Sequence, residues 1–111
     1  FLTAPLMKWM FGKYVLDPAQ RGNDLMSPVR ASAERLRGLP ATLIVVAEND
    51  ILRDEGEAMG RRLDEAGVEV TTVRFNGVVH DWGMLNGFAA LHPTRTLIRL
   101  VGSVLRDYLE K

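Results

Sequence analysis

The polar and apolar positions of this chain are organised around one stretch, Ala41-Thr-Leu-Ile-Val-Val-Ala-Glu-Asn-Asp50. Leu43 to Ala47 is an unbroken apolar run rich in β-branched residues, which predicts a parallel strand buried on both faces. A polar corner follows, then a helical pattern from Arg53 to Ala66. There Ala58, Met59, Arg62, Leu63 and Ala66 recur at three-and-four spacing while Arg61, Asp64 and Glu65 face water. Gly67 stands where a left-handed helix cap belongs. Val68 to Phe75 then alternates, predicting a second, more polar strand ended by an Asn76-Gly77 turn. Strand, helix and strand make a βαβ unit.

The flanks carry helical patterns of two kinds. Thr3 and Pro5 signal a helix start, and Leu6, Met7, Trp9, Met10, Phe11 and Tyr14 make that helix apolar on nearly all sides. It reads either as ordinary core or as a cover over an apolar pocket. Asp17-Pro18, Arg21-Gly-Asn-Asp24 and Ser27-Pro28 predict a turn-rich connector running to the Gly38-Leu39-Pro40 corner. Met84, Leu85 and Phe88 are expected to pack locally. After His92-Pro93, with His92 facing solvent, the last helix presents Leu97, Ile98, Leu100, Val101, Val104, Leu105, Tyr108 and Leu109. That face is broader than one sheet face needs, and the surplus is available to a second subunit.

Composition narrows the function classes. The 111 residues suffice for one ordinary domain. Formal charge is zero, without basic or acidic blocks, which speaks against nucleic acid or an anionic membrane as partner. The absence of cysteine removes disulfides, a thiol nucleophile and cysteine-held zinc. No apolar run approaches the roughly 18 residues of a membrane span, and no signal peptide is visible. A cytoplasmic protein is the expectation.

Two residues carry candidate chemistry. Asp50 ends the first strand and His80 follows the second, so a parallel pairing puts both at the carboxyl edge of the sheet, where open α/β folds build sites. A carboxylate on one imidazole nitrogen orients the ring and stabilises the imidazolium, leaving the other nitrogen to take a proton from a nucleophile. The plainer readings are a helix cap for Asp50 and a hydrogen-bonded loop histidine for His80. Asp81 beside His80 makes two adjacent metal-ligand types without a third, a weak metal signal.

These pieces together resemble the C-terminal part of an α/β-hydrolase of the hormone-sensitive-lipase-like group of esterases and lipases. The matching residues are Phe1-Leu-Thr with Trp9 and Tyr14, Ser27-Pro28 with Ala31, Gly38-Leu-Pro40 and Ala47-Glu-Asn-Asp50. They continue in family order with Leu52-Arg-Asp-Glu-Gly56, Leu63, Ala66-Gly67, Gly77-Val-Val-His80-Asp81 and Met84-Leu-Asn86. The resemblance implies that Asp50 is the acid and His80 the base of a Ser-His-Asp triad, with no metal or cofactor and a small-molecule ester as substrate. It implies that residues 1–25 are a lid-region remnant and connector, and that residues 26–111 complete the catalytic sheet. Ile51 stands where the family often has Pro.

The family's Gly-x-Ser-x-Gly elbow and His-Gly-Gly oxyanion loop do not occur here. Ser103 follows Gly102 but lies within the predicted last helix and has no second glycine two residues on. The family order of Ser, acid, His places the nucleophile N-terminal to Phe1, as truncation would leave it. The expectation is therefore an esterase fragment that supplies acid and base and is inactive alone. The Leu43–Ala47 strand is too apolar for an edge, so a strand from the missing hydrolase segment, another chain or a second copy should flank it. A homo-oligomer is expected, with Val68–Phe75 as the outer strand. The alternative function is a non-catalytic interaction or dimerisation module built on the same fold.

Overall fold

The computed structural model describes residues 2–110, so Phe1, part of the Phe1-Leu-Thr match, lies outside the described residues. In chain order the elements are α1 (Ala4–Tyr14), α2 (Ala33–Leu36), β1 (Thr42–Asn49), α3 (Arg53–Glu65), β2 (Val70–Val79) and α4 (His92–Leu109). Short 3-10 turns lie at Pro18–Gly22, Pro28–Arg30 and Asn86–Phe88. Among the described residues the sheet consists of β1 and β2, paired in parallel.

Each face of the sheet has its own cover. Against one face lies α3, whose sheet-facing stripe is Gly56, Gly60 and Leu63. A Cβ on Gly56 would sit 2.7 Å from Val46 Cγ1, and one on Gly60 would collide with Thr72 Oγ1. The helix thus approaches the strands more closely than any side chain would allow, which the expected stripe beginning at Ala58 did not anticipate. Below it, Leu63, Ala66 and Val68 close over Ala31 and Leu36. Arg62 Nη2 donates to the Ala31 carbonyl at 2.5 Å and ties the connector to α3. The helix ends as expected, with Gly67 at φ +79°.

The other face carries a cluster of Ala47, Val78 and Trp82, with Val45, Phe75, Phe88 and Leu97 of α4 packed against it. The last helix contacts this face while Ile98, Leu105 and Leu109 remain exposed, the surplus expected of it. His92 is the first residue of α4 and is exposed.

Four expectations need correction. The Asn76-Gly77 pair does not end the second strand, because β2 runs through it to Val79. Instead Gly77, at φ +73°, absorbs an irregularity in the pairing. Met84 does not pack locally; it is 83% exposed, and Leu85 is exposed too. The reading of the first helix as ordinary core fails as well. Thr3 caps α1 by accepting the Leu6 N–H at 3.4 Å, yet no residue of α1 is buried, and Trp9, Met10 and Tyr14 stand exposed. Finally, the polar connector contains α2, capped by Ser32 accepting the Arg35 N–H at 3.4 Å. Four residues are too short for periodicity to announce.

Candidate active site

The site is made where the two strands end. β1 finishes at Asn49 and β2 at Val79, and these two residues are partners in the parallel register. Asp50 and His80 are therefore the next positions on neighbouring strands. The structure brings them together: Asp50 Oδ2 lies 2.7 Å from His80 Nδ1. Side-chain exposure is 10% for Asp50 and 27% for His80, so the carboxylate sits beneath the ring while one edge of the ring stays open.

Asp50 is not the helix cap of the plainer reading, since the N-cap of α3 is Leu52 and carries no side-chain cap bond, but it does hold the turn that leads into the helix. Its Oδ1 accepts the Leu52 N–H at 2.9 Å, and its carbonyl accepts the Arg53 N–H at 3.2 Å at the entry to α3. The turn bond and the contact with His80 do not compete, because each carboxylate oxygen has its own donor. The turn bond holds the carboxylate still, and the other oxygen orients the imidazole. Since that oxygen is an acceptor, the bond requires a proton on Nδ1, which leaves Nε2 as the basic nitrogen of the neutral ring.

Nε2, on the other side of the ring, has a carboxylate near it. Asp81 Oδ2 lies 3.5 Å away, a contact that is favourable when the ring is an imidazolium. Asp81 has φ +57°, a left-handed backbone that folds its exposed carboxylate back toward the ring. The next residue anchors the loop. Trp82 is buried, with its ring 5.3 Å from that of Phe75, and its backbone N–H donates to the Val79 carbonyl at 3.3 Å. A large indole plugged into the sheet two residues after His80 restrains the ring's support. Trp82 escaped the sequence reading, although a tryptophan in a polar, glycine-bearing loop was the available signal.

The serines lie elsewhere. Ser27 Oγ donates to the Arg21 carbonyl at 2.8 Å in the connector, Ser32 caps α2, and Ser103 is exposed within α4. An aspartate-oriented imidazole with one basic nitrogen can accept a proton from a hydroxyl and return it to a leaving group.

Comparisons with known proteins bear on the fold that carries this site. The family described as alpha/beta hydrolase fold matches residues 1–84. An arylesterase of Saccharolobus solfataricus is 37% identical over 94 residues, which cover 85% of this chain and 28% of that protein. An ethyl acetate hydrolase of Pseudomonas putida is 37% identical over 81 residues, covering 73% of this chain and 25% of the other. Among solved structures, a thermostable esterase from Pseudomonas putida superposes with a TM-score of 0.90 at 47% identity, over 92% of this chain and 32% of its own. Brefeldin A esterase, described as a bacterial homologue of human hormone sensitive lipase, gives 0.85 at 31% identity, over 92% of this chain and 28% of its own. The chain thus spans less than a third of the length of these relatives.

Proposed function

The chain belongs to the α/β-hydrolase fold family, in its hormone-sensitive-lipase-like branch of esterases, and from that membership we propose that it is the acid-and-base part of a serine carboxylesterase or lipase. The supporting observation is the 2.7 Å contact between Asp50 Oδ2 and His80 Nδ1 at the carboxyl edge of the strands. Asp50 is the triad acid and His80 the triad base. The nucleophilic serine and the oxyanion donors come from hydrolase sequence outside these 111 residues. Residues 1–25 belong to the lid region over the substrate, and the exposed Trp9, Met10 and Tyr14 of α1 supply apolar surface there.

In the assembled site, the serine hydroxyl oxygen attacks the ester carbonyl carbon as its proton passes to His80 Nε2. Asp50 holds the resulting imidazolium through Nδ1. The tetrahedral intermediate collapses, and the alcohol leaves with the proton returned from Nε2. Water then gives up a proton to Nε2 and attacks the acyl-enzyme, releasing the carboxylic acid and restoring the serine. This chemistry draws on no metal or cofactor. The substrate is a small-molecule ester.

The same reading includes self-association. Ile98, Leu105 and Leu109 form an exposed stripe along α4, spaced seven and four residues apart, and a second copy is the proposed cover. The decisive test is an ester-hydrolysis assay of this chain alone and mixed with a family N-terminal segment carrying the serine elbow. Turnover that appears only in the mixture, and disappears with His80→Ala, is the expected result. A mixture as inactive as the chain alone, despite demonstrated association, would favour the interaction-module reading.

A further inference from the structure

The pairing of β1 and β2 changes step just before the site. Ala47 is partnered by Phe75, but Asn49 is partnered by Val79, so two steps along β1 span four along β2. With the register of the first part continued unbroken, Asp50 would face Val78, and His80 would lie two residues, roughly 7 Å, further on. The two-residue surplus brings His80 level with Asp50. Because the surplus is even, the side-chain alternation across it is kept.

Glu48 sits opposite this bulge. Its Oε2 accepts the Gly77 N–H at 2.7 Å, and Gly77 is the residue whose φ of +73° lets the backbone turn out of the ladder. Glu48 is itself held, since Arg53 Nη1 donates to its carbonyl at 2.7 Å. One carboxylate therefore satisfies the backbone N–H at the irregularity, from a residue on the strand that carries Asp50. Bulges beside active sites commonly re-aim a side chain, and here the pin on the bulge is visible.

We infer that Glu48 is a positioning residue for the catalytic base: its bond to the Gly77 N–H sets the register that places His80 Nδ1 on Asp50. The catalytic consequence rests on the hydrolase reading; the positioning of the imidazole does not. In solution the carboxylate-bound Nδ1 proton of His80 should give a far-downfield proton resonance, and the Gly77 amide should be protected from exchange. Glu48→Ala is expected to abolish both while strand amides such as Thr72 stay protected. Glu48→Gln retains an oxygen acceptor at the same reach and should keep both signals. Glu48→Asp keeps the charge but is one methylene short and should lose them, so the pair reads the hydrogen bond even if the alanine variant fails to fold. In the enzyme assembled with its serine segment, Glu48→Ala should lower kcat by on the order of 10²-fold, the scale of an ångström misplacement. KM should stay nearly unchanged, and Glu48→Gln should restore most of kcat. A retained downfield resonance in Glu48→Ala, or equal loss in Glu48→Gln, would overturn the assignment. Absence of esterase activity in the unsubstituted assembly would count against the hydrolase reading, with the resonance test still deciding the role of Glu48.

Discussion

At the scale of single residues, Asp50 is the most exacting position because its two oxygens serve two bonds, one to Leu52 N–H and one to His80 Nδ1. Asp50→Asn keeps the size but can offer an amide N–H where the imidazole also presents one, favouring the wrong tautomer. In the assembled enzyme it should lower kcat by up to about 10⁴, the scale known from the serine-protease triad; near-normal turnover would remove Asp50 from the triad. The rate should also fall toward acid pH, because a protonated Nε2 cannot accept the serine proton. A flat pH profile would contradict a histidine base. Arg53 and Asp54 allow a separate test. The Arg53 guanidinium, chiefly by hydrogen bonding, holds the Asp54 carboxyl below the usual carboxylate range. A folded-state carboxyl more acidic than its unfolded counterpart contributes stability above the ordinary Asp range and loses it as pH falls through its own lowered range. The pair is exposed, so the effect is small. Urea midpoints of Asp54→Asn should lie slightly below those of the unsubstituted chain at neutral pH and converge with them in acid; curves that stay parallel would show that the pair contributes nothing.

The elements make opposite demands on their glycines. Within α3, replacing Gly60 by Ala improves helix propensity by about 1 kcal/mol. The added methyl, however, meets Thr72 Oγ1 on the strand below, and overpacking costs about 1–3 kcal/mol. The clash should win, so Gly60→Ala lowers the denaturation midpoint, and adding Thr72→Ala should recover part of the loss. In α4, Gly102 is exposed and a Cβ there meets nothing within 4 Å. Gly102→Ala should therefore stabilise by up to about 1 kcal/mol. Equal effects at the two sites would show that helix propensity, and not the close approach of α3 to the sheet, governs both.

For the whole molecule, the relevant quantity is how little of the apolar surface the chain covers for itself. Its radius of gyration is 15.6 Å, against about 13 Å for a compact domain of this length. Leu16, Leu25, Met84 and Leu109 are each more than 70% exposed, and among the described residues β1 has a strand on one side only. Such a surface favours association. On the outer strand Arg74 is engaged with Glu57 at 2.6 Å, so an ionic contact through it is not the expected link. The proposed contact is the α4 stripe. Light scattering should report a mass above the 12.4 kDa of one chain, and Ile98→Glu with Leu105→Glu should bring it down. A monomer at high concentration would refute this, and unchanged association of the double variant would move the contact elsewhere, to the strand edge first.

Strand, helix, strand and final helix were legible in the sequence because each carries its own hydrophobic period over enough residues to register. Asp50 and His80 were legible for a related reason: in a parallel pair, residues just past the ends of neighbouring strands share an edge. The sequence alone, through its motifs in order, also determined the family. It did not reveal α2, which is too short to have a period, or the fate of Asn76-Gly77, whose turn-forming chemistry serves a turn and a bulge equally. Only the tertiary structure decided that question, because the partner of the Gly77 N–H is a carboxylate 29 residues away in sequence. The same holds for Gly56 and Gly60, which look like weak helix positions until the strand beneath them is seen. Local pattern sets which elements form; register and close approach are set by contacts between residues far apart in the chain, and those place the imidazole on its carboxylate.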